Sequence, residues 1–125
     1  MSINNKVVKE ANVELKFIDN TIYISGNIDC QNPRYFMEPF FTDIHNFLIE
    51  NSIKKVITDI TQLKFLNSSG IRELVDWVMK LESLSEREKY SITFLCNPDY
   101  LWQESSIATI VFLNNELVNK EDVYK

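Results

Sequence analysis

Two adjacent hydroxyls, Ser68 and Ser69, stand where the apolar run Leu63-Lys64-Phe65-Leu66 gives way through Asn67 to an amphipathic pattern opening at Gly70-Ile71. A strand that turns into a helix in this way sets small polar residues at the helix N-terminus, where unpaired N–H groups and the positive end of the helix dipole gather. A serine there can cap the helix, accept a phosphate, or line a site that binds an anion directly. It could also act as a nucleophile, but the G-x-S-x-G elbow is absent. The one histidine, His45, falls at the border of the polar face of its helix with no recognisable partner to orient it, so a serine hydrolase finds little support.

The rest of the composition narrows the chemistry further. Cys30 and Cys96 are far apart and lack the paired spacing of a metal site, so they read as free, partly buried thiols, and neither a metal nor a cofactor is expected. A formal charge of −5, with Lys54-Lys55 the densest basic pair, opposes nucleic-acid binding and suits a basic protein partner. Met1 to Glu10 carry charge and asparagine where a signal peptide needs an apolar core, and no run approaches a membrane span. The chain reads as cytoplasmic, with no membrane partner.

The elements that must position the serines follow from periodicity. At 125 residues with 45% hydrophobic content the chain suits a single domain spanning 1–125. Val13-Glu14-Leu15-Lys16-Phe17 and Thr21-Ile22-Tyr23-Ile24-Ser25 alternate around Asp19-Asn20, which predicts a hairpin. Apolar residues from Phe36 to Leu48 recur at helical spacing, which predicts a first helix over 33–50 that Pro39 kinks or restarts. Lys55-Val56-Ile57-Thr58-Asp59-Ile60 reads as a central strand covered on both faces. Ile71, Leu74, Val75, Val78 and Met79 then form the apolar stripe of a second helix, with Ser69 as its expected cap. A strand over 90–96, a third helix over 101–113 and a frayed last strand complete an α/β domain. The expected architecture is a mixed central sheet of about four or five strands, with helices packed mainly on one face.

In this order of elements the residues resemble the STAS domains, typified by bacterial anti-sigma-factor antagonists. Gly26-Asn27-Ile28-Asp29 is similar to the G-E-L-D turn of that family. Thr58-Asp59-Ile60-Thr61, followed by Phe65-Leu66-Asn67-Ser68-Ser69-Gly70, is similar to its L-D-L-S and F-I-D-S-S-G segments. Trp102-Gln103 with Ser105-Ser106 resembles a cyanobacterial-type regulatory subgroup of STAS-like proteins. The resemblance implies a STAS-like fold and a non-catalytic, partner-switching regulator. It also implies a serine kinase of the histidine-kinase-like ATPase type that phosphorylates the protein, and a PP2C-type phosphatase that reverses this. Ser68 is the implied phosphoacceptor and Ser69 the second choice, in a loop formed with Asn67, Gly70, Asp29 and Asp59. Asn67 departs from the family's usual Asp.

The expected docking face lies along this loop and the second helix beside Arg72 and Glu73; Trp77, Leu81 and Leu84, on one flank of that helix, either widen its core stripe or serve as apolar anchors for the partner. A signalling enzyme is one candidate target. The alternative is a small-molecule or nucleotide sensor that binds an anion at the same helix N-terminus.

Overall fold

Asp19 and Asn20 both adopt positive φ, at 51° and 61°, which is the two-residue turn that matches the natural twist of a hairpin. They join β2 (Val13–Ile18) to β3 (Thr21–Ile28) with Ile18 opposite Thr21. Gly26 sits at φ 99°, and a Cβ there would lie 1.9 Å from the Asn12 carbonyl oxygen, so only glycine fits this crossing. The computed structural model describes residues 5–10 and 12–123, and over these the chain forms six strands and three helices.

The remaining elements are β1 (Lys6–Glu10), α1 (Arg34–Glu50), β4 (Lys55–Leu66), α2 (Ser68–Glu82), β5 (Ser91–Cys96), α3 (Leu101–Leu113) and β6 (Val118–Asp122). They build one sheet in the order β1-β2-β3-β4-β5-β6, antiparallel from β1 to β3 and parallel from β3 to β6. Each helix links neighbouring parallel strands in the same direction across the sheet. The right-handed preference of such crossovers therefore puts all three on one face. β1 extends the expected hairpin by one strand, and the frayed last strand is a regular parallel edge, so the sheet is six strands wide.

The helix-covered face holds the core, including Leu15, Phe17, Ile22, Ile24, Val56, Ile60, Ile92 and Phe94. Contrary to the expectation for residues 55–60, β4 is covered on one face only. Ile57 and Asp59 are half-buried on the open side. α1 starts after Pro33 and runs unbroken through Pro39, whose missing N–H falls at an exposed position. Between α1, α2 and β5 lies a buried polar group: the Trp77 indole donates to the Tyr90 hydroxyl at 2.8 Å, and that hydroxyl lies 2.7 Å from His45 Nδ1. An indole N–H only donates, so the Tyr90 oxygen accepts it, while the direction of the Tyr90–His45 bond follows the imidazole tautomer. His45 is thus a buried structural residue rather than a surface one.

β4 overshoots β5, which pairs with it only as far as Asp59 and Leu95. Side chains take over the exposed edge. Gln103 donates to the carbonyls of Ile60 and Leu63 at 2.7 and 2.9 Å and accepts from the Asn97 amide. Asn97 donates to Thr61 O and the Trp102 indole to Lys64 O. The Trp102-Gln103 pair therefore holds in place the strand that delivers the two serines.

Candidate functional site

Asn67, not Ser69, is the cap of α2. Its Oδ1 accepts from the Gly70 amide at 2.9 Å, while its own N–H donates to Ile28 O and its Nδ2 donates to Cys30 O at 2.7 Å. An aspartate could fill the first role but not the last, because a carboxylate has no hydrogen to offer the Cys30 carbonyl. The amide thus fastens the end of β3 to the start of α2 and brackets Asp29, which is exposed between the two carbonyls that Asn67 holds. Gly70 is tightly enclosed: a Cβ would meet Leu66 Cδ1 at 2.3 Å and Ile28 Cγ2 at 3.2 Å.

With the cap supplied by Asn67, both serines fall in the first turn of α2. Both are exposed, and neither hydroxyl has a hydrogen-bond partner among the described residues. Their rows along the helix differ. Ser68 heads a row with Arg72, Val75 and Met79, whereas Ser69 heads one with Glu73, Asp76 and Lys80. The first turns of both α1 and α2 lack acidic residues, and no side chain caps α1. The two positive helix ends, joined through Asn67 and Cys30, therefore favour negative charge in this corner of an acidic protein.

Several expected site residues stand elsewhere. Asp59 belongs to the middle of β4, where its Oδ1 accepts from both the amide and the hydroxyl of Thr61. At a strand's rise it is more than roughly 20 Å from the serines, so it is no part of their loop. Trp77 and Leu81 are 2% and 0% exposed and belong to the core, so they cannot anchor a partner without unfolding α2. Leu84 is half-buried just beyond the helix and packs against that core. Glu73 is also buried, with Arg34 Nη1 3.8 Å away; burial pushes its carboxyl up and the guanidinium opposes this. Arg34 is shared with Asp76 at 3.6 Å. Of the expected docking residues only Arg72 is fully open to solvent.

The apolar residue that lies outward on α2 is Met79, 53% exposed, while Val75 and Ile71 are half-buried and pack against the edge of the core. The periodicity had placed these in the core. Cys30 was expected to be partly buried; it is exposed, and its carbonyl anchors Asn67. Cys96 is buried, and burial pushes its thiol up to about 11. His45 is engaged with Tyr90 eleven residues along α1 from Arg34, so it cannot serve Ser68 as a base. Among the described residues no His, Cys, Asp and Glu cluster could hold a metal ion, and no helix is long and apolar enough to cross a membrane.

Residues 4–104 match the family model described as SiaC family regulatory phosphoprotein. No curated protein matches the chain. Among solved structures it is similar to a chain in the crystal structure of the diguanylate cyclase SiaD in complex with its activator SiaC from Pseudomonas aeruginosa. The TM-score is 0.67 at 12% identity, covering 93% of this chain and 96% of that one. At that identity the likeness is one of fold.

Proposed function

The chain belongs to the SiaC family of regulatory phosphoproteins, and from that premise we propose that it is a non-catalytic, STAS-like switch whose phosphoacceptor is Ser68. The observation that carries this reading is an exposed, unpartnered hydroxyl on one helical row with Arg72, Val75 and Met79. A phosphate at Ser68 brings about −1.5 to −2 charges, faces the Arg72 guanidinium one turn on, and sits at the positive end of α2. A phosphate at Ser69 would instead face the carboxylates of Glu73 and Asp76, which favours Ser68 of the pair.

The docking surface in this reading is the Ser68 turn with the outward row of α2, in place of the buried Trp77 and Leu81. A partner seated there covers Ser68, so a dianion must be stripped of water for the complex to form, at a cost of several kcal/mol. The fold tolerates the same charge. A serine kinase of the histidine-kinase-like ATPase type would add the phosphate and a PP2C-type phosphatase remove it. The target would be a signalling enzyme, and the structural likeness to a complex of a cyclase with its activator makes a diguanylate cyclase the first to try.

The test is phosphosite mapping after incubation with a serine kinase of the histidine-kinase-like ATPase type from the same cell, followed by binding of the cyclase to Ser68→Ala and Ser68→Asp. Modification at Ser68, with binding kept by the alanine variant and lost by the aspartate variant, supports the proposal. An unmodified loop under an active kinase, or equal binding by both variants, overturns it. Saturable binding of a nucleotide or phosphate ester in calorimetry, without any kinase, would favour the sensor alternative.

A further inference from the structure

The outer face of α3 is the most apolar exposed surface of the described residues, and nothing in the Ser68 reading uses it. Leu101 and Phe112 are 81% and 83% exposed, with Leu113 at 40%. Single exposed hydrophobics are ordinary; these form a pattern. Leu101, Ser105, Ala108 and Phe112 recur at spacings of four, three and four, which lines them up on one ridge about 16 Å long. Thr109 beside them turns its hydroxyl back to the Ser105 carbonyl at 3.0 Å, so it too offers carbon outward. The ridge has large residues at its ends and small ones in the middle, a saddle into which the side chains of a crossing helix fit.

Charge settles what kind of helix. α1 and α2 carry acidic and basic residues, whereas Glu104 is the one charged residue of α3. From Tyr90 to Asn119 the sequence has no Lys, Arg or His, and Asp99, Glu104 and Glu116 are all exposed around the ridge, against the exposed Lys64 of β4 whose carbonyl accepts from Trp102. We propose that the Leu101–Phe112 ridge is a second docking surface, independent of Ser68, for an amphipathic helix of another protein that pairs an apolar stripe with basic flanks. A second copy of this chain is disfavoured, since an antiparallel pairing of the ridges brings Asp99 of each molecule toward Glu116 of the other, with a Glu104 on both and no base between them on α3. An anionic membrane meets the same repulsion.

The probe is a synthetic helix of about 18 residues with a Leu/Ala stripe flanked by lysines, and a twin with glutamates in the flanks. Trp102, half-buried beside Leu101, reports binding through its fluorescence, while Trp77 is buried and silent. The lysine peptide should bind saturably and more weakly at high salt, the glutamate twin at least tenfold more weakly. The double variant Leu101→Ser/Phe112→Ser should lose at least tenfold in affinity with an unchanged melting curve, and Ser68→Asp should bind like the unmodified protein. That last arm separates this surface from the switch. Equal binding of the two peptides, binding that survives the double variant, or no binding of the lysine peptide overturns the proposal. So does reversible self-association, or flotation with anionic vesicles, that the double variant abolishes.

Discussion

The two ends of the helical layer handle polar groups in opposite ways. At one end His45, Tyr90 and Trp77 are buried and satisfy one another, each hydrogen bond closing on the next. At the other, Ser68 and Ser69 stand exposed and unpartnered in the first turn of α2, while Asn67 alone does the capping. Buried polar groups must be paired to be tolerated, and so they specify the fold. Exposed unpaired ones contribute little to it, which leaves them free to be modified. On the proposed function, stability and signalling occupy different ends of one helix, and substitutions should separate them.

The largest effect is expected from Trp77→Ala, which empties a core site and frees the Tyr90 hydroxyl; chemical denaturation should show a loss of about 3–5 kcal/mol. Tyr90→Phe keeps the ring but strands the Trp77 N–H and His45 Nδ1, for about 1–3 kcal/mol. The same group gives the stability its pH dependence. Burial, and then Lys80, hold the His45 imidazole below its ordinary value, with Glu88 opposing. The unfolded chain thus binds the proton more readily, so this contribution is whole above the ordinary imidazole pKa of 6.5 and is lost as pH falls through that value toward the lowered one. Tyr90→Phe should change that slope in melts taken across the range. Glu73 acts in the opposite sense at lower pH, since its raised pKa lets the folded state take up the proton first.

At the signalling end the effects on stability shrink. Asn67→Asp keeps the cap, loses the donor to Cys30 O and sets a charge against that carbonyl, for about 1 kcal/mol in the same denaturation assay. Ser68→Asp should stay within about 0.5 kcal/mol of the unmodified protein, because the added charge meets solvent, Arg72 and the helix dipole. A loss above about 2 kcal/mol would break the contrast between the two ends. In the middle of the sheet, the Thr58 hydroxyl is buried without a partner among the described residues, so Thr58→Val should be neutral or stabilising by up to about 1 kcal/mol.

Much of this was legible in the residues. Asp19-Asn20 announced its turn, the first two helices their spacing, and Asn67-Ser68-Ser69-Gly70 the strand-to-helix junction. α2 was harder to read, because it carries two apolar rows. Ile71, Val75 and Met79 compete with Leu74, Trp77 and Leu81, and periodicity cannot say which faces a sheet not yet built. The full length of β4 was hidden for a related reason: its last residues pair on one side only, and side chains distant in sequence complete the other. The roles of Cys30 and Asn67 likewise needed the fold, since 37 residues separate them.

The overhang of β4 has a bearing on biosynthesis. Ile60, Thr61, Leu63 and Lys64 receive their edge partners from Asn97, Trp102 and Gln103, all of which leave the ribosome later than the serines do. A nascent chain that has emerged only to Cys96 lacks that brace, so the exposed edge of β4 is completed only after the start of α3 arrives. A partner that reads the braced strand would then meet only chains extended past Gln103.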